Sequence, residues 1–247
     1  MQFTIVIPAR FASTRLPGKP LIDISGKPMI EWVWLRAIDS KASRVVVATD
    51  DQRILKVCRD IGAEAYLTSE KHRSGTDRIA EVATILDLND DHVIVNLQGD
   101  EPLVPVNVID QVASNLHLNP LAELSTLCEP ILTDTEFYNP NVVKVVMDSN
   151  GFALYFSRAP LPDNTYQTKG GEANNLRLRH LGIYAYRKSF LEKYASWKPA
   201  PLEKIERLEQ LRALHYGARI HVEIACEDVP GSIDTEEDLS AVRALFL

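Results

Sequence analysis

Phe3-Thr-Ile-Val-Ile-Pro-Ala-Arg-Phe-Ala-Ser-Thr-Arg-Leu-Pro-Gly-Lys-Pro20 is the stretch that orders the rest of the chain. The β-branched run Phe3–Ile7 predicts a buried strand, and it empties directly into a loop broken by Pro8, Pro17, Gly18 and Pro20. That loop carries Arg10, Arg15 and Lys19, while no acidic residue occurs before Asp23. The 247-residue chain has a formal net charge of −7, so a loop of cations alone runs against its surroundings. A strand that ends in such a loop suggests a cradle for a polyanion. A merely solvated cationic loop is the plainer reading of the same three residues.

Working outward, strands are expected at Arg44–Thr49, Glu64–Leu67 and Val93–Leu97, with helical spacing at Met29–Ile38, Asp51–Ile61 and Thr76–Leu88. Near-continuous Val/Ile strands alternating with amphipathic helices predict an α/β fold: a Rossmann-like, mixed but mostly parallel sheet with helices on both faces. A helix Val104–Leu118 follows, with Pro105 in its first turn. Beyond about residue 120, strand-like segments at Leu124–Pro130, Val142–Asp148, Ala153–Ser157 and Leu181–Tyr186 crowd together, which suggests a smaller β-rich lobe. Pro160–Asn175 reads as a long polar loop, Leu202–Leu214 as one amphipathic helix with a buried stripe of Leu202, Ile205, Leu208, Leu211 and Leu214, Ile220–Ile224 as a strand and Thr235–Phe246 as a closing helix. With no repeat, low-complexity tract or linker, residues 1–247 are expected to form one domain, divided near residue 120.

Composition narrows the function. No run of about 18 apolar residues is present, so no membrane span is expected. Three scattered cysteines, Cys58, Cys128 and Cys226, form no C-x-x-C pair, which points to neither a disulfide framework nor a zinc site and fits a cytoplasmic setting. The acidic balance argues against nucleic-acid binding.

Ligands of open parallel sheets sit beyond the carboxyl ends of the strands. Here those ends read Pro8-Ala-Arg10, Thr49-Asp50-Asp51 and Gln98-Gly99-Asp100-Glu101-Pro102: cations at the first, carboxylates at the third. A phosphate site with a metal ion needs both, because Mg²⁺ takes carboxylate and phosphate oxygens while Lys and Arg neutralise the remaining charge. Neither G-x-x-x-x-G-K-[ST] nor G-x-G-x-x-G occurs, which leaves phosphate binding carried by side chains as well as backbone.

The N-terminal stretch resembles the signature of sugar-activating nucleotidyltransferases. Six further segments, Ala48-Thr-Asp50, His72-Arg-Ser-Gly-Thr-Asp-Arg78, Asn96-Leu-Gln-Gly-Asp-Glu-Pro102, Arg179-His-Leu-Gly-Ile-Tyr-Ala-Tyr186, Leu208-Glu-Gln-Leu-Arg212 and Ile233-Asp-Thr-Glu-Glu-Asp-Leu239, resemble its 3-deoxy-manno-octulosonate (Kdo) cytidylyltransferase branch. The likeness runs over essentially the whole chain in order and spacing, with Leu181 where Val is usual. It implies CMP transfer from CTP to the anomeric hydroxyl of Kdo, with release of diphosphate, in lipopolysaccharide biosynthesis. A sister enzyme acting on sialic acid or 8-amino-Kdo is the near alternative, and a catalytically dead nucleotide binder the distant one.

The resemblance also implies roles. Arg10 and Lys19, with Arg15 nearby, would hold the triphosphate. His72, Arg73, Ser74, Gly75 and Arg78 would line the cytosine and ribose pocket, although Ser74-Gly75 also reads as an ordinary helix N-terminus. Gln98 would read the cytosine or position the sugar, and Asp50 would be a neighbour of the nucleotide. Asp100 and Asp234 would hold Mg²⁺; for Asp234 the local alternative is a helix N-cap. Arg158, in Tyr155-Phe-Ser-Arg158, would take the sugar carboxylate, since a planar fork suits it. His180, Tyr184, Glu209 and Gln210 would contact the sugar hydroxyls; a structural histidine and a solvated helix face are the plain readings of His180 and of Glu209 with Gln210. A homodimer, built on the β-rich lobe and the Pro160–Asn175 loop, is expected from the resemblance alone.

Overall fold

The computed structural model describes residues 1–12, 16–72, 74–163 and 176–245. In chain order the elements are β1 (Phe3–Ala9), β2 (Asp23–Ile24), β3 (Lys27–Pro28), α1 (Met29–Ile38), β4 (Arg44–Thr49), α2 (Gln52–Asp60), β5 (Glu64–Leu67), α3 (Gly75–Ile85), β6 (Val93–Asn96) and α4 (Val106–Leu118). There follow β7 (Leu124–Pro130), α5 (Asp134–Tyr138), β8 (Lys144–Met147), β9 (Ala153–Ser157), β10 (Leu178–Arg187), α6 (Lys188–Ser196), α7 (Pro201–Glu206), α8 (Gln210–His215), β11 (Ile220–Ile224) and α9 (Glu236–Ala244).

The main sheet runs β11-β7-β10-β6-β1-β4-β5. β1 pairs in parallel with both β4 and β6, β4 with β5, and β7 with β11, whereas β10 is antiparallel to β6 and β7. The fold is therefore mixed but mostly parallel, as the β-branched runs imply. Strand alternation sends Phe3, Ile5 and Ile7 of β1 to one core face with α1, α2 and α4, and Val6 to the other with α3, α6 and α8. The β-rich part is less separate than expected. β7, β10 and β11 are strands of the main sheet, and only the β8–β9 hairpin projects from it, joined through β8 to β10.

Three local expectations change. Pro105 is the N-cap of α4 and lies outside its first turn. The helix expected at Leu202–Leu214 is two short helices, α7 and α8, broken at Arg207 with φ 54°. Leu202 and Ile205 of the expected buried stripe face solvent, Ile205 at 77 % exposure. The reason is Glu203: its carboxylate accepts the Ala200 N–H (2.8 Å) and the Arg212 Nε–H (2.9 Å), so a buried ion pair turns this face inward. Arg212 also lies over the Tyr194 ring at 4.4 Å. The last helix ends at Ala244, short of Phe246, which lies outside the described residues. No helix of the described residues is long and apolar enough to cross a membrane.

Candidate active site

At the carboxyl ends of β1 and β6 the two chain segments cross closely. A Cβ at Gly99 would lie 2.9 Å from the Pro8 carbonyl oxygen, so only glycine lets the Gln98–Asp100 turn approach Pro8-Ala9. The crossing builds a cavity of about 330 Å³ lined by Pro8, Ala9, Arg10, Lys19, Gly75, Gln98, Asp100 and Asp234, among others. The left-handed Gly18 opens a 3-10 turn, Lys19–Leu21, that buries Lys19 beneath this cavity. Its ammonium donates to Asp100 Oδ2 and to Asp234 Oδ1 (3.0 Å). Arg10 contributes a buried Nη2 with no hydrogen-bond partner, an orphaned donor on the wall of a site already suited to anions.

Asp234 is not the N-cap of α9. Thr235 takes that place, accepting the Asp238 N–H, while Asp238 accepts the N–H groups of Asp234 and Thr235. The two aspartates expected to hold a metal thus come together around one cation. Glu101 packs behind them; burial pushes its carboxyl up to about 8, Asp100 and Asp234 adding to the shift and Lys19 opposing it. Among the described residues no cluster of three or more His, Cys, Asp or Glu side chains could hold a metal on its own. Two carboxylates nevertheless fit Mg²⁺, a hard cation that takes one or two protein carboxylates and completes its shell with phosphate oxygens and water.

A second cavity of about 300 Å³ adjoins the first and shares Gly75 and Gln98 with it. His180, Tyr184, Glu209 and Gln210 all line it, together with Thr76, Asn96, Tyr186 and Tyr194. β10 reaches this cavity through an irregularity in its pairing with β7 between Leu181 and Tyr184. The Thr126 hydroxyl lies 3.0 Å from the Leu181 carbonyl oxygen and 2.8 Å from that of Ile183, and 3.0 Å from His180 Nε2. His180 packs edge-on against Phe156, and burial pulls its pKa down to about 3, so the ring is neutral in the physiological range. Much of Glu209 is open to solvent, yet its carboxyl lies against the cavity wall, where desolvation raises its pKa. The Thr76 hydroxyl opposes that shift, donating to Glu209 Oε2 at 3.2 Å.

Other expected site residues lie elsewhere. Ser74 caps α3 by accepting the Asp77 N–H (3.1 Å), while Gly75 remains on both cavities. Arg78 is fully buried beneath the sheet end, donating to Asp50 (2.6 Å) and to Thr68, and lines neither cavity. His72 pairs with Glu81 on a separate surface depression bordered by α6. Arg158 also misses both cavities: its Nε donates to the Glu206 carbonyl (2.8 Å) and its Nη1 to that of Pro140 (3.0 Å). Arg15, Arg73 and residues 164–175 of the long loop lie outside the described residues. Asn96, Thr76 and Tyr186 also line the second cavity; they stand inside the motif segments, but no ligand role was expected of them. Asn96 was within reach of strand alternation, which places it two residues before Gln98 on the same face.

The cytidylyltransferase family model matches residues 4–220. A Pseudomonas fluorescens 3-deoxy-manno-octulosonate cytidylyltransferase is 58 % identical over 99 % of this chain and 98 % of its own length. The enzyme of that name from Photobacterium profundum is 53 % identical over the full length of both chains. This chain belongs to the cytidylyltransferase family, in its 3-deoxy-manno-octulosonate branch. Among solved structures, a CMP:2-keto-3-deoxy-manno-octonic acid synthetase complexed with CTP superposes with a TM-score of 0.91 at 40 % identity, covering 100 % of this chain and 98 % of that one. A Leptospira borgpetersenii cytidylyltransferase shares the fold at a TM-score of 0.62 and 19 % identity, covering 100 % and 87 %.

Proposed function

We propose that this chain transfers CMP from CTP to the anomeric 2-hydroxyl of Kdo, with the triphosphate in the Arg10–Lys19 cavity and the sugar acid in the tyrosine-lined one. The observation that carries this reading is the sharing of Gly75 and Gln98 by the two cavities: a donor and an acceptor bound in them would meet there. The 2-hydroxyl oxygen forms a bond to the α-phosphorus and releases its proton to solvent, the bond from the α-phosphorus to the bridging β-phosphate oxygen breaks, and diphosphate leaves. Arg10 and Lys19 face that phosphate chain, and fixed donors of this kind stabilise charge as it builds. Gln98 orients the reactants at the junction. His180 is too weak a base to take the hydroxyl proton; neutral, it orients the sugar, with Tyr184, Glu209 and Gln210 as further partners.

Asp100 and Asp234 would hold Mg²⁺, which supplies charge neutralisation at the triphosphate and lowers the pKa of an attacking hydroxyl. With that ion on the carboxylates, Lys19 would be free to meet the phosphates. Among the described residues the sugar cavity is lined by no cation, so the Kdo carboxylate, one bond from the anomeric carbon, points toward the cationic cavity or is met by Arg158 after rearrangement. We also infer one folded unit, a cytoplasmic setting and a homodimer. The β8–β9 edge hairpin, with Leu154 at 61 % exposure, and the outward Leu202 and Ile205 of α7 support the dimer.

The test is diphosphate release from CTP plus Kdo, with and without Mg²⁺. Product with Kdo alone in a panel of sugar acids is expected; turnover of sialic acid but not Kdo would refute the substrate, and CTP binding without product would refute the reaction. Sedimentation as a monomer at micromolar concentration would refute the dimer.

A further inference from the structure

Buried polar atoms are almost always hydrogen-bonded, so the exceptions mark places where something is missing or function is served. Among the described residues, two such atoms belong to residues that line the two cavities of the site. One is Arg10 Nη2, a donor on the triphosphate side; the other is Asn96 Oδ1, an acceptor on the sugar side. Their chemistry divides as the ligands do: an orphaned donor meets an anion, and an orphaned acceptor meets a hydroxyl.

Asn96 is the last residue of β6 and is only 3 % exposed. Tyr184 of β10 is its register partner on one side and Val6 of β1 on the other, and no side chain hydrogen-bonds its Oδ1. The amide instead engages the Tyr186 hydroxyl, which also receives Thr76. That contact occupies one end of the amide and leaves Oδ1 without a partner, in a residue that lines the cavity. The Tyr186 contact accounts for one end of the amide, and a hydroxyl donated by a ligand would satisfy the other.

We propose that Asn96 is a specificity-determining residue for the sugar acid, accepting a hydrogen bond from one of its ring or side-chain hydroxyls through Oδ1. The inference rests on the Kdo cytidylyltransferase reading and deepens it: the cavity selects a polyhydroxylated acid through acceptors, Asn96 at its floor and Glu209 at its wall.

The experiment is steady-state kinetics of Asn96→Leu and Asn96→Ser with Kdo and CTP varied separately, beside the wild type. In both variants the KM for Kdo is expected to rise about tenfold with the KM for CTP unchanged, the size of one lost buried hydrogen bond. A panel of monodeoxy Kdo analogues supplies the second readout: one analogue that the wild type rejects is expected to be rejected no longer by the variants. A KM for Kdo within about twofold of wild type in the folded variants, the result that a buried water satisfying Asn96 would give, overturns the proposal. So does a rise confined to the KM for CTP. A wild type inactive on Kdo overturns the functional reading itself and this inference with it, whereas an active wild type with unaffected variants overturns this inference alone.

Discussion

Replacing Arg78 by Met separates its structural role from the nucleotide-contacting role that the motif implies. The Arg78 side chain is 0 % exposed and its Nη2 stands 2.6 Å from Asp50, whose side chain is 17 % exposed. Burial pulls the guanidinium pKa down, Asp50 pushes it back up, and Arg10 adds like-charge repulsion. At an effective dielectric constant of about 20, unit charges about 4 Å apart attract by roughly 4 kcal/mol. Removing one partner of a buried pair costs about 3–5 kcal/mol, mainly through the charge left behind. Asp50 retains some access to water and the Arg10 repulsion is relieved, so the lower end applies, about 3 kcal/mol. For a domain of this size that is a Tm loss of roughly 6–12 °C. Urea denaturation of Arg78→Met and of Arg78→Met/Asp50→Asn measures it, and the double variant recovers part of the loss because no orphaned carboxylate remains. A loss below about 1 kcal/mol, the level of an exposed pair, would refute the buried-pair argument. A KM for CTP raised about tenfold at unchanged stability would return Arg78 to the nucleotide.

Asp100→Asn and Asp234→Asn should each cut diphosphate release by about 100-fold or more at millimolar Mg²⁺, with partial recovery at higher Mg²⁺; near-normal turnover in both would exclude them as metal ligands. Glu203→Gln should destabilise the protein by about 3 kcal/mol, since it strands Arg212, and should raise the KM for Kdo more than that for CTP because α8 carries Gln210; equal effects on both would argue against a role in shaping the sugar cavity. Burial lowers the pKa values of His180, His92 and His221. Their neutral forms therefore favour the fold above the unfolded value near 6.5, and this stability is lost as the pH falls toward about 3, the His180 value. Unfolding free energy should fall between pH 6.5 and 5 by up to about 1.4 kcal/mol per unit per histidine, and a flat profile in that window would count against the three buried neutral rings. Arg158→Gln should loosen the junction of β9 with α7, detectable as faster amide exchange at Ser157–Arg158 and in α7; an effect on the KM for Kdo alone would restore the direct carboxylate contact.

Much of the architecture was legible because burial and period agree. β4, β5, β7, β9, β11 and α1 run where apolar patterning places them. The Leu202–Leu214 stretch misled because its leucine spacing suits one helix, while the deciding contact, Glu203 with Arg212, joins residues whose meeting depends on the left-handed turn at Arg207. A hint was present in Ala200-Pro201, where proline opens a helix, and in Glu203 placed to reach back to the Ala200 N–H. Asp234 was legible for a similar reason. Thr235-x-x-Asp238 is a capping pair, which makes Thr235 the cap and releases Asp234 from that duty. Arg78 could have been placed inside: it lies one turn before Val82 on the stripe of α3 that faces the core, where an arginine needs a carboxylate such as Asp50. What spacing could not supply was which polar residues share a cavity, because Gln98, Glu209 and His180 meet only through the crossing of β6, β10 and α8.

The division of charge between the two cavities explains why an acidic protein presents a loop without acids. The cavity proposed for the triphosphate already holds two carboxylates, and Lys19 is bonded to them, leaving Arg10 as the described cation there with an unpartnered donor. One more carboxylate on the loop would pair with Arg10 and remove that donor from the phosphates. The sugar cavity follows the opposite rule. Its histidine is neutral, its tyrosines Tyr184 and Tyr186 are held protonated by burial, and its one carboxyl, Glu209, is pushed toward the neutral form. A cationic wall there would attract the triphosphate and a fully anionic one would repel the acid; the neutral histidine and tyrosines do neither and can still count hydroxyls. On the proposed reading, selectivity for the nucleotide comes from charge and selectivity for the sugar from hydrogen-bond geometry, with Gln98 and Gly75 on the boundary where the cytidylyl group would pass from one substrate to the other.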